Sequence, residues 1–277
     1  MVIPETEIQA KLRSTDALPA VPAVVREIVA LVDREADIKE IAETIARDQV
    51  ISARILQMVN SPLYGFPGRI SSISHAVILL GVNVIRGLAV SIPILDALEK
   101  KDRGLWLHSI GSAAAAQVLA RELVLPEPEE MSTASLLHDI GRIFIKSDFP
   151  EEYEGIRALM EREEISMFQA EQRMLGMDHA AIGGELARRW HLPDSLVEPI
   201  VHHHEPAGAK NFFHAACVVH AADVLIKTAG YGNSGDAQVE QFNRKVWDAL
   251  ELDREKLKTV LSKLDKELAR LEDFGDG

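Results

Sequence analysis

The chain has 277 residues and a formal net charge of −13, with 47% hydrophobic and 26% charged residues. That length buries a sizeable core as one large domain or two small ones, and the acidic balance argues against nucleic acid as the main partner, because phosphate binding needs a basic surface. The single cysteine, Cys217, rules out an intrachain disulfide and fits a reducing, cytoplasmic setting, and Met1 to Lys11 carries no signal-peptide pattern.

No apolar run approaches the ~20 residues a membrane span needs. No stretch alternates apolar and polar residues with period two, so the expected fold is all-α. Ile38, Ile41, Ala42 and Ile45 recur at i, i+3, i+4 and i+7, the spacing of one helix face. Ile51, Ile55, Met58 and Val59 predict a second helix. Asn60-Ser61-Pro62 ends it, since asparagine tolerates a left-handed conformation and Pro62 disfavours helix at Ser61. This reads as a structural turn, with a ligand or partner role for Asn60 as the alternative. Gly65, Pro67 and Gly68 supply a loop, and helix resumes over Ser74 to Leu88. Lys100 to Gly104 is the best boundary. It divides a helical lobe at 1–100 from a second lobe at 101–230, and a helical extension at 236–273 follows a Gly/Asn/Ser loop.

In the second lobe, histidines and aspartates interrupt segments that otherwise read as buried helices: His108, the pair His138-Asp139, His179, the run His202-His203-His204-Glu205, and Asp223. Imidazole and carboxylate are the side chains that hold first-row transition metals. A centre built across several helices explains the pattern better than chance. Asp178 is placed to cap a helix that starts at His179 and runs through Ile182, Leu186 and Trp190 towards Pro193. His138 and Asp139 would diverge by about 100° on a helix, which suits a site lying across it. Gly141 permits close approach of the chain, and Ala113 to Ala116 permit close approach of another helix. His75, His191, His214 and His220 read as structural, Cys217 as a small buried residue, and Lys210 as a solvated loop lysine. Glu205 either orients a histidine or faces water.

Leu18-Pro19-Ala20-Val21-Pro22, Asp48, Ile55 to Pro62 and Ile70 to Gly81 together resemble the signature of HDOD domains, bacterial signalling domains of the wider HD superfamily. The resemblance spans roughly residues 15 to 225. Asp48-Gln49 departs slightly from the Asp-Pro often found there. The middle third is similar to the metal-binding core of HD-GYP phosphodiesterases. That resemblance implies His108, His138, Asp139, His179, His203, His204 and Asp223 as ligands of two divalent ions, with Asp139 bridging. Iron or manganese is the expectation, with nickel and zinc also compatible.

The same resemblance implies a phosphohydrolase acting on a phosphorylated small molecule or nucleotide. Two ions would acidify a water and polarise the phosphoryl group beside Asp139, and Arg142 would neutralise phosphate charge. Arg142 stands where that family usually has lysine. Its Gly-Tyr-Pro motif is replaced by Glu205-Pro206-Ala207-Gly208, so activity on cyclic di-GMP is expected to be weak or absent. Three readings remain open: a metal-dependent hydrolase, a signalling or scaffold module with a structural metal centre and a protein partner, and a helical protein with fortuitous histidines. None calls for a nucleic acid or a membrane.

Overall fold

The computed structural model describes residues 5–14, 23–66, 68–236, 238 and 244–275. The Leu18 to Pro22 motif, Pro67 and Ala237 lie outside the described residues. Among the described residues every regular element is helical. The first are α1 (Glu5–Ser14), α2 (Ala23–Asp33), α3 (Ile38–Arg47), α4 (Gln49–Val59) and α5 (Ile73–Lys101).

Local chemistry fixes the ends of these helices. Asp37 caps α3 by accepting from the Glu40 amide at 2.8 Å. Asp48 caps α4 by accepting from the amides of Val50 and Ile51, both at 3.0 Å, which accounts for its place in the motif. Ile41, Ala42 and Ile45 are buried as expected, but Ile38 is 45% exposed and Thr44 is buried instead. α3 packs on α2, α4 and α5.

Asn60 ends α4 at φ −88°, ψ 1°, and so not in the left-handed region. What stops the helix is its amide, which donates to the Leu56 and Ile70 carbonyls at 2.7 and 2.8 Å and accepts from the Ile70 amide at 2.8 Å. With both ends of the amide committed, Asn60 clamps the loop after α4, and the structural reading of the motif is the one the geometry supports.

α5 bends at Gly81 and contains Pro93. It is long and apolar enough to cross a membrane by length and composition, with a mean hydropathy of 2.0, contrary to the expectation that no such run exists. The physical reason is that 67% of that window is buried inside the fold. α5 packs on α2, α3 and α4 along one side and on α6 and α7 along the other, so few of its faces need to be polar.

Asp102 separates α5 from α6 (Arg103–Glu122). Its amide donates to the Leu98 carbonyl at 2.7 Å, and its side chain caps α6 by accepting from the Leu105 amide at 3.2 Å. There follow α7 (Pro128–Leu137), α8 (Ile140–Asp148), α9 (Pro150–Glu163), α10 (Met167–Leu175), α11 (His179–Arg189), α12 (Asp194–Val201), a 3-10 turn at Pro206–Gly208, α13 (Phe213–Ala229), α14 (Arg244–Ala249) and α15 (Arg254–Gly275). α6 is the hub, packed by α7, α13 and α15, and Ala113 to Ala116 are all buried there. Four small side chains in succession let these neighbours approach closely.

Candidate metal centre

Five places in the fold aim ligand-type side chains at one point. His108 comes from α6 and Asp223 from α13, both apolar helices buried on most sides. His138 and Asp139 do not share a helix. They form the corner between α7 and α8, and Asp139 occupies the cap position of α8 without using its side chain as a cap. The two side chains therefore both face inward rather than diverging. His179 opens α11, capped as expected by Asp178, which accepts from the Ala181 amide at 2.8 Å. His203 and His204 follow the end of α12, where His202 closes the helix.

Gly141 makes the corner possible. A Cβ there would lie 2.0 Å from the His179 carbonyl oxygen, so only glycine lets α8 meet the start of α11.

The side chains fall into two halves that share Asp139. In one, Asp139 Oδ2 is 3.5 Å from His108 Nε2 and 3.4 Å from His138 Nε2. Asp223 Oδ1 is 3.1 Å and 3.7 Å from the same two nitrogens. In the other, His179 Nε2 is 3.3 Å from Asp139 Oδ1, 3.3 Å from His203 Nε2 and 2.8 Å from His204 Nε2. All seven side chains are buried; the most exposed, His204, is at 8%.

Hydrogen bonds fix the imidazole tautomers. His138 Nδ1 lies 2.6 Å from the Ser135 carbonyl, and His203 Nδ1 lies 2.8 Å from that of Ile200, so each donates there. His179 Nδ1 faces Glu171 Oε2 at 2.6 Å, and the same oxygen accepts from the His179 amide at 2.8 Å. Each of these rings consequently turns an Nε2 lone pair into the centre, the arrangement typical of ligating histidine. His220 supports the site from behind, with Nδ1 2.7 Å from the His203 carbonyl.

Both oxygens of Asp139 and Oδ1 of Asp223 are buried without a hydrogen bond. Buried carboxylate oxygens without donors are costly unless a cation completes them. Three groups of side chains, His179 with His203 and His204, His108 with His138 and Asp223, and His138 with Asp139 and His203, each have ligand atoms within 4.8 Å of one another. The donor set therefore fits a divalent transition-metal ion.

The centre also contains two cations of its own. Arg142 Nε lies 3.0 Å from Asp139 Oδ1, its NH2 lies 3.3 Å from His179 Nε2, and its NH1 donates to the Ser234 carbonyl. Lys227 Nζ lies 2.8 Å from Asp223 Oδ2. Burial pushes both carboxyls up, but Arg142 holds Asp139, and Lys227 holds Asp223, well below the usual carboxylate range. Burial pulls His108 down and pulls His179, His203 and His204 far down, so these rings are neutral. It lowers His138 too, but Asp139 and Asp223 outweigh it, and His138 is raised. Glu171, also buried, is pushed up to about 8.

Arg142, expected as a phosphate contact, is 3% exposed and lies against Asp139, His179 and Ser234. The segment 231–236 covers it. The Asn233 amide donates to the Gly104 carbonyl at 2.8 Å, and the Met167 amide donates to Asp236 at 2.8 Å. A Cβ on Gly232 would lie 2.3 Å from the His108 amide nitrogen, which shows how tightly this strap is laid on the site.

Glu171, Lys227 and Ser234 were not picked out from the sequence. Lys227 had a signal: it follows Asp223 by four residues on an otherwise apolar helix. His75, His191, His214, Glu205 and Lys210 are exposed, and Cys217 is buried with its thiol pushed up to about 12 by desolvation.

The HDOD domain model matches residues 18–206. A solved HDOD domain protein of unknown function from Geobacter sulfurreducens is 29% identical, with a TM-score of 0.73 and coverage of 98% of this chain and 97% of that one. An uncharacterized protein of Treponema pallidum is 24% identical over 240 residues, 83% of this chain and 45% of its own length. Ribonuclease Y of Thermus thermophilus is 34% identical over 118 residues, 43% of this chain and 15% of the enzyme. The chain thus spans less than half the length of these curated relatives. An all-helical fold shared end to end with a solved HDOD protein, together with a family match over more than half its length, means that the chain belongs to the HDOD domain family.

Proposed function

We propose that this protein is a signalling-type HDOD domain whose core holds a divalent transition-metal centre of the kind used by phosphohydrolases, kept closed in the form described here. The observation that carries this reading is the convergence of seven buried ligand-type side chains on three carboxylate oxygens that lack hydrogen bonds. Iron or manganese suits the mixed nitrogen and oxygen donors best, with nickel and zinc as alternatives. A divalent ion bound there supplies Lewis acidity towards a phosphoryl oxygen and an acidified water.

The protein's own groups do the positioning. Glu171 fixes the His179 ring, the Ser135 and Ile200 carbonyls fix His138 and His203, and Arg142 fixes Asp139. Of these groups, Arg142 alone lines the neighbouring cavity. Asp139 is 2% exposed and the segment 231–236 lies over Arg142, which favours a module whose metal centre stiffens the fold and whose output is a protein partner.

A second reading, a phosphohydrolase of a phosphorylated small molecule or nucleotide, is supported by a cavity of about 650 Å³ beside the centre. Arg142, Lys146, Tyr153, Arg157 and Ser234 line it, so displacing the strap would join cavity and centre. Similarity to Ribonuclease Y points the same way.

One preparation tests both. Protein loaded with manganese, iron, nickel or zinc is assayed on bis(p-nitrophenyl) phosphate and cyclic dinucleotides, and metal content and thermal midpoint are measured alongside. The module reading expects bound metal, a raised midpoint and no turnover. Turnover that scales with metal content would establish the hydrolase, and absence of bound metal would remove both readings.

A further inference from the structure

The strap of 231–236 lies along a single face of α6. Gly104, His108 and Gly111 fall at i, i+4 and i+7, so they share one stripe of that helix. All three meet the strap. A Cβ on Gly104 would lie 3.1 Å from Asn233 Cβ, and one on Gly111 would lie 2.6 Å from the Tyr231 ring, while Gly232 rests on the His108 backbone between them. The strap lies flat on α6 because two of these three positions have no side chain.

The closed position carries a cost. The Tyr231 hydroxyl is buried with no hydrogen bond among the described residues. A buried hydroxyl without a partner is less stable than one in water, so the phenol gains by moving outward. The element that reaches it from outside is α15. Burial raises the Tyr231 phenol first, and the Glu272 carboxylate of α15 raises it further, which places the end of α15 beside the ring. Leu271, one residue before, is buried and borders a cavity of about 250 Å³ with Trp106 and Ile110 of α6. The end of α15 therefore sits on the same turns of α6 that carry the start of the strap.

α15 itself is lightly held. Leu257, Val260, Leu264, Leu268 and Leu271 recur at intervals of three and four, which makes one apolar stripe. Among the described residues, α6 is the one helix against which it packs extensively. The ion pair that joins the two, Lys263 with Glu122, is partly exposed and adds little. Release needs only that one stripe leave α6.

Building on the reading of a closed metal centre, we propose that α15 is a latch: seated on α6 it clamps Tyr231 and keeps the strap over the centre, and its release lets the strap lift and joins the centre to the neighbouring cavity. That cavity already counts Asn233, Ser234 and Gly235 of the strap among its walls, so lifting them removes the partition above Arg142.

The experiment is hydrogen–deuterium exchange of the full chain without metal, read by mass spectrometry. Leu268→Glu unseats α15, and Gly111→Val wedges Tyr231 off α6 without touching the apolar stripe. Coupling is reciprocal, so each variant should speed exchange about ten-fold or more both in 231–236 and in the last turn of α15, while α7 and α11 stay protected. A bis-maleimide bridge between Glu122→Cys and Lys263→Cys, with Cys217 buried and out of reach of the reagent, should slow exchange in the strap. The bridged form decides the matter if either variant fails to fold. Faster exchange confined to the mutated element, or a strap indifferent to the bridge, would overturn the latch. Manganese uptake, followed by electron paramagnetic resonance, should be faster in Leu268→Glu and slower in the bridged form; one rate in all forms would show that the strap does not gate the centre. No uptake in any form, with the exchange coupling intact, would support the latch and overturn the metal reading alone.

Discussion

Asp223 shows how the centre distributes charge within a single side chain. One oxygen faces His108 and His138, and the other takes the Lys227 ammonium at 2.8 Å. Burial works to neutralise that ammonium, but Asp223 keeps it charged. Removing one partner of a buried ion pair typically costs about 3–5 kcal/mol, because the other charge is left uncompensated. Lys227→Met should therefore lose stability of that order in metal-free protein, read from urea unfolding, and recover part of it with saturating zinc. Equal stability with and without the lysine would mean that the pair is not ionised. Asp139→Ala should retain only a small fraction of the wild-type metal, because Asp139 Oδ2 has no donor but an ion; full occupancy in that variant would refute its role as a ligand.

Among the elements, the contact between α8 and α11 is the least tolerant. Gly141→Ala would drive a methyl group into the His179 carbonyl and against the Gly183 amide nitrogen, 2.9 Å away, and both are backbone atoms of a packed helix. Overpacking of this kind costs about 1–3 kcal/mol or more, so a thermal midpoint several degrees lower is expected, with weaker metal binding as the corner opens. A midpoint within error of the wild type would show that α8 and α11 can slide apart freely. These element-level contacts also show what was legible in the chain. The helices, the cap at Asp178 and the break around Lys100 to Gly104 follow from local pattern and turn chemistry. The seven ligand-type residues could be named because each matches a motif position. Glu171 could not, since in Glu171-Gln172-Arg173 it looks like any charged helix face, and its importance exists only once α10 lies under His179. The strap was equally invisible, because Ser234 acts through its carbonyl, which no sequence distinguishes.

For the whole molecule, the buried rings and carboxylates set the response to acid. His108, His179, His203 and His204 take up protons less readily in the folded chain than the ordinary imidazole value of about 6.5. Below that pH the unfolded chain binds more protons, so stability falls as pH falls. Asp139 and Asp223, held low when folded, add a further loss from about pH 4 downward, while His138, which is raised, and Glu171, pushed up to about 8, oppose the trend because the folded chain holds those two protons more tightly. With four lowered rings set against these two groups, metal-free protein should show a urea midpoint that declines from pH 7 to pH 4; a flat or rising profile would mean that Glu171 and His138 outweigh the four rings.

The wide spacing of the centre along the chain has one more consequence. Apart from the neighbours His138-Asp139 and His203-His204, no two of these groups are near one another until α6, α8, α11 and α13 have packed. An unfolded chain thus offers a metal ion little more than isolated imidazoles, and whatever free energy the ion contributes appears almost entirely as resistance to unfolding. At a free ion concentration a hundred times the dissociation constant, that is about 2.7 kcal/mol. A chelator added to the loaded protein should accordingly act as a denaturant at fixed temperature, shifting the urea midpoint down by the equivalent of the binding energy, and the size of that shift measures the affinity without any assay of function.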